Sequence, residues 1–159
     1  MSKLPKDAME LQNLNLNQFK VFSPLNDCGY LRIESQKILS SVNTIDKLDE
    51  FMVYCGCRPL GESWYKRTPQ DASSIIQSGF TFDLSDTTRR LVDDETGSQY
   101  AQNYLNIFGE SRQFYSNTEE NPWKEYWYST SLTADSVECG VVTMDNKTIG
   151  LIIFFNVDV

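Results

Sequence analysis

The sequence predicts an α+β domain, and three observations carry that prediction. Apolar residues recur at helical spacing in three separate stretches, each marked by a capping or stop residue. Short β-prone runs lie between and after those stretches, and the last two read as a hairpin. The chain has 159 residues, 40% hydrophobic and 13% aromatic, enough to bury a single core. Residues 1–20 are polar, and Leu11, Leu14 and Leu16 fit neither period, so they read as an N-terminal arm; residues 21–159 read as one globular domain.

The elements follow in order. Residues 29–33 are a short strand candidate. Thr44 can cap a helix whose apolar face is Ile45, Leu48, Phe51 and Met52. Residues 55–61, which hold Gly56, Pro59 and Gly61, read as a loop. Trp64 and Tyr65 suit the end of a strand. Thr68 as cap, Pro69 at the first helical position and Asp71 three residues after the cap then predict a helix over 69–78. It buries Ala72, Ile75 and Ile76 and leaves through Gly79 at the C′ position. Ala101, Tyr104, Leu105 and Phe108, with Gly109 as stop, predict a helix over 98–108. Residues 110–123 read as a loop, 126–131 as an aromatic strand and 133–137 as one short helix. Residues 141–144 and 148–159 form the hairpin about Asp145 and Asn146. The unbroken apolar stretch 151–155 suggests a strand covered on both faces.

Composition excludes several functions. The net charge of −8 disfavours nucleic acid and anionic membrane as partners, while leaving room for one local basic site. There is no histidine, so there is no Ser-His-Asp triad, no Cys-His pair and no His-ligated metal. Cys28, Cys55, Cys57 and Cys139 lack zinc-site spacing, and no metal site is expected. The N-terminus shows no continuous apolar signal region, and the apolar run 149–155 is too short to span a bilayer.

Two polar clusters remain as candidate sites. Lys66-Arg67-Thr68 lies between a strand and a helix start, where backbone amides, the helix dipole and two cations suit an anion. The plainer reading is a solvated basic turn. Ser129-Thr130-Ser131 ends the aromatic stretch and offers three hydroxyls to a ligand, or simply ties strands together. Glu119, Glu120, Glu125 and Glu138 show no acid/base pair spacing. No Gly-rich phosphate motif occurs.

In this order the pieces resemble a known family. Residues 64–69 (Trp-Tyr-Lys-Arg-Thr-Pro), residues 73–80 ending in Gly79-Phe80, Tyr128-Ser129-Thr130-Ser131 about fifty residues on, and the strand 149–158 are together similar to mono-ADP-ribosyltransferases of the pertussis-toxin and cholera-toxin-like group. The resemblance covers residues 62–159. It implies a split two-sheet β core with peripheral helices, holding NAD as substrate in the cleft between the sheets. It implies that Arg67 and Ser129 are the catalytic pair, and that Lys66, Arg67, Ser129, Thr130 and Ser131 bind NAD. It further implies an unidentified target protein, and a secreted or injected effector acting in a target-cell cytoplasm; otherwise the protein is cytoplasmic. The chain departs from the pattern in two places. The usual Arg position, counted back from Gly79-Phe80, falls on Lys66, and no Glu follows Glu138. Glu125 is then the best placed carboxylate, although strand spacing sets it roughly 13 Å from Ser129. A toxin or effector that binds NAD with weak or absent transferase activity is the expectation. The competing function is a non-enzymatic acidic binding module, such as an immunity, inhibitor or anti-defence protein, with aromatic anchors.

Overall fold

The longest apolar run of the chain becomes a central strand. In the computed structural model, which describes residues 20–26, 29–37, 43–84, 86–128, 130–132 and 137–156, this run is β6 (Thr148–Asn156). It is flanked by β2 (Gly29–Lys37) and β5 (Val137–Met144). Outside them lie β1 (Lys20–Asn26) on one side, and β4 (Gln113–Ser116) then β3 (Tyr65–Arg67) on the other. The order is β1-β2-β6-β5-β4-β3, and every neighbouring pair is antiparallel. The fold is thus mixed α and β, as expected, with the described strands in one six-stranded sheet rather than in two.

Strand alternation sorts the core onto the two faces of this sheet. Phe114, Cys139, Val141, Ile152 and Phe154 pack with α2 (Pro69–Thr81) and α3 (Asp94–Leu105). Tyr115, Val142, Leu151 and Ile153 pack with α1 (Thr44–Tyr54). With helices on both faces, the residues of β6 from Ile149 to Phe154 are all buried, which explains their lack of alternation.

The helix starts carry the capping chemistry. Thr68 Oγ1 accepts the Asp71 amide at 3.1 Å, and Ala72, Ile75 and Ile76 are fully buried, as expected. In α1 the cap is Asn43, one residue before the predicted Thr44: its Oδ1 accepts the Asp46 amide at 3.0 Å. Leu48, Phe51 and Met52 are buried but Ile45 is exposed. Helix α3 spans 94–105 rather than 98–108, because Asp93 caps it by accepting the Thr96 amide at 2.7 Å. Phe108 is still buried, from the turn that follows.

Gly79 does not end α2. The helix continues to Thr81, and Gly79 has an ordinary negative φ. Its role is close approach: a Cβ at this position would overlap the Phe154 ring. Gly79→Ala is therefore expected to cost about 1–3 kcal/mol by overpacking. The smaller side chain of Phe154→Leu should remove most of that penalty in the double variant, measured by denaturant melts.

Two further expectations are corrected. The segment 110–123 is not all loop, since it contains β4. The described part of 126–131 is not a strand; Trp127 packs on the core from a loop, while Tyr126 and Tyr128 face solvent. A side chain stands in for the missing ladder there: Asn117 Nδ2 donates to the Thr130 carbonyl at 3.0 Å, and the Thr130 amide donates to the Asn117 carbonyl at 3.0 Å. The expected helix over 133–137 lies outside the described residues except Val137, which is already in β5, and the arm 1–20 lies outside them except Lys20, which opens β1.

Candidate functional site

Arg67 ends β3, and strand alternation turns it and Lys66 to opposite faces of the sheet. Lys66 is exposed and opposite Tyr115, on the α1 side. Arg67 is half-buried on the side of α2, and its guanidinium is bound by its own chain. Nε donates to Ser116 Oγ at 2.9 Å. One terminal nitrogen donates to the Thr118 carbonyl at 2.8 Å, Thr118 Oγ1 at 3.3 Å and the Glu120 carbonyl at 2.6 Å. Ser116 Oγ in turn donates to the Thr118 carbonyl, and Thr118 Oγ1 to the Glu120 carbonyl at 2.9 Å. Arg67 thus braces the chain leaving β4, with the geometric specificity of a planar fork.

Beyond this brace opens a cleft of about 590 Å³, lined by Arg67, Gln70, Asp71 and Ser74, with Glu119, Asn121, Lys124 and Glu125 opposite. Its far wall is fixed by Asn121, whose amide donates to Glu125 Oε1 at 3.1 Å and whose Oδ1 accepts the Trp123 amide at 3.0 Å. Asn121 Nδ2 also reaches Ser74 Oγ at 3.4 Å, tying the wall to α2. Two cations and three carboxylates therefore share one cleft. The start of α2 offers less to an anion than the sequence suggested. Pro69 has no amide proton, Thr68 takes the amides of Asp71 and Ala72, and only that of Gln70 is left over by the cap.

Of the expected Ser-Thr-Ser partners, the two that are described, Thr130 and Ser131, do not hydrogen-bond to Arg67. Thr130 is tied to Asn117, and Ser131 Oγ donates to Glu138 Oε1 at 3.4 Å; neither lines the cleft. Ser129 lies outside the described residues. Among the described residues the hydroxyls that meet Arg67 are those of Ser116 and, at longer range, Thr118, and sequence reading missed both. A signal was present: Phe114-Tyr115-Ser116-Asn117-Thr118 is also an aromatic stretch followed by hydroxyls, and Ser116 lies 49 residues after Arg67. Glu125, the best placed carboxylate of the sequence reading but distant from Ser129 if the strand were extended, lines the cleft with Arg67.

Beneath the brace, the Cys139 thiol is completely buried. Burial pushes its pKa up to about 12, against the opposing pull of the Thr118 hydroxyl and the Arg67 charge. It is a thiol at neutral pH and no nucleophile. Among the described residues no three of Cys, Asp and Glu gather as a metal-holding group, and no helix is long and apolar enough to cross a membrane. Compared with known proteins, the chain matches no family model, no curated protein and no solved structure.

Proposed function

We propose that the Arg67 cleft binds NAD, and that the protein is an effector of the ADP-ribosyltransferase type, with its split-core ancestry drawn into one sheet. The observation that carries this reading is the Arg67–Ser116 hydrogen bond at a strand-to-helix junction, on the rim of a cleft with room for a dinucleotide. Ser116 takes the place beside Arg67 that the resemblance gave to Ser129. Lys124 and the remaining donors of Arg67 face the diphosphate. Glu119 and Glu125 supply the anion that a ribosyl cation needs as nicotinamide departs. Lys66, on the opposite face, has no part in it.

The test is nicotinamide release from NAD by wild type, Glu119→Gln and Glu125→Gln. Slow release is expected from wild type, lowered about a hundredfold by Glu125→Gln, with NAD affinity retained. Release that neither glutamine changes would overturn the carboxylate assignment. A second reading, an acidic protein-binding module, draws on one observation: Tyr126 and Tyr128 are 81% and 71% exposed, in an edge-to-face pair at 5.3 Å. Tight capture of a protein partner with no effect of NAD would favour it.

A further inference from the structure

Helix α1 turns Leu48, Phe51 and Met52 into the core. Its outer face carries Asp46, Asp49, Glu50 and Val53, spaced i, i+3, i+4 and i+7 and therefore stacked in one stripe. With Pro59 these residues line a groove of about 530 Å³, which shares no residue with the Arg67 cleft. Three of the five are carboxylates and none is a cation. The stripe does not stay polar, as an outward helix face ordinarily does: Val53 is 63% exposed and the adjoining Tyr54 64%. The groove has a fixed wall. Asp49 accepts the amides of Leu60 and Gly61 at 3.0 and 3.1 Å and the Trp64 indole at 3.0 Å, which pins the chain after Pro59 to the helix. Asp49 is thus engaged from within, while Asp46 and Glu50 face solvent.

We propose that this groove docks a basic amphipathic segment of a partner protein, with Lys or Arg side chains on Asp46 and Glu50 and an apolar side chain against Val53, Tyr54 and Pro59. Charge selects this occupant. A chain of net charge −8 steers cations towards an acidic groove. A second copy would bring carboxylates against carboxylates, and nucleic acid or an anionic lipid surface would be repelled. The apolar pair supplies what charge alone lacks, a contact that excludes water around the ion pairs.

The inference stands apart from the NAD reading and is tested without NAD. The probe is a synthetic peptide of about a dozen residues with Leu at helical spacing among Lys, compared by titration calorimetry with an all-Lys peptide of the same length. The Lys/Leu peptide should bind at one site, more weakly as salt rises. The double variant Val53→Ser/Tyr54→Ser and the single variant Glu50→Lys should each weaken it about tenfold or more. All three positions are on the surface, and unchanged melts confirm folding. Equal binding of the all-Lys peptide, no binding at all, or binding that these variants leave intact would overturn the proposal. So would dimerisation of the protein alone that Val53→Ser/Tyr54→Ser abolishes, because the face would then belong to a second copy.

Discussion

Arg67→Ala is expected to abolish ligand binding in the cleft and to lower stability by about 3 kcal/mol. The binding loss has two sources: a cation leaves the cleft, and the wall it braces loses its tie to β3. The stability loss follows from the acceptors left behind, two of them on fully buried residues. Ser116 Oγ and the carbonyls of Thr118 and Glu120 all lose a charged donor, and hydrogen bonds to charged groups contribute about 1.5–3 kcal/mol each when not compensated. Water will reach the Glu120 carbonyl more readily than Ser116, which is fully buried, so the sum stays below the additive figure. Arg67→Lys separates the two effects. It keeps the charge but cannot reach Ser116 and Glu120 at once. It should recover little of the stability, as read from urea melts, and little of the binding. A lysine variant that melts and binds like wild type would show that charge alone matters and that the brace does not.

Phe154→Ala is the second large effect, about 3–5 kcal/mol. Phe154 is 2% exposed and meets two other rings edge to face, Phe80 at 5.7 Å and Trp123 at 5.5 Å. It also fills the space that Gly79 leaves open. Removing the ring leaves a cavity bounded by α2, the sheet and the segment carrying Trp123, three parts of the structure that cannot collapse together. Trp123 is only two residues from Asn121 and Glu125 in the cleft wall, and its indole donates to the Phe82 carbonyl at 3.2 Å. The variant should therefore loosen the cleft as well as the core. A change in melting below about 1 kcal/mol would mean that the site repacks, and that the wall is held by Asn121 rather than by this aromatic contact.

Those elements that were legible in the sequence wrote their signal locally. Helix α2 announces itself through Thr68, Pro69 and its apolar spacing. The β5–β6 hairpin does so through Asp145, whose carboxylate accepts the amides of Lys147 and Thr148 at 2.7 and 2.6 Å. Burial works against that charge, but these amides, that of Gly109 and the Lys147 ammonium win and hold the carboxyl below its usual range. What was not legible depends on partners distant in sequence. Strand β4 has only four residues, and it is a strand because β3 and β5 flank it. The residues around Tyr126 and Tyr128 have equal or higher β propensity but find no edge to join. Gly79 read as a helix stop because its packing partner, Phe154, lies 75 residues on. Of the site, the sequence pointed to Arg67 and to the need for a hydroxyl beside it. That Ser116 reaches Arg67 follows from the β3–β4 register, and no local pattern ranks Ser116 above Ser129.

Whether Arg67 and Ser116 build a single NAD site is tested most directly by equilibrium titration of NAD into wild type, Arg67→Lys and Ser116→Ala. Ser116→Ala removes one hydroxyl from the brace and leaves every charge in the cleft unchanged. Saturable binding at one site in wild type, weakened about tenfold or more in both variants while Ser129→Ala binds as wild type does, is the predicted result. Absence of saturable binding, or affinity that follows Ser129 and ignores Ser116, would contradict it.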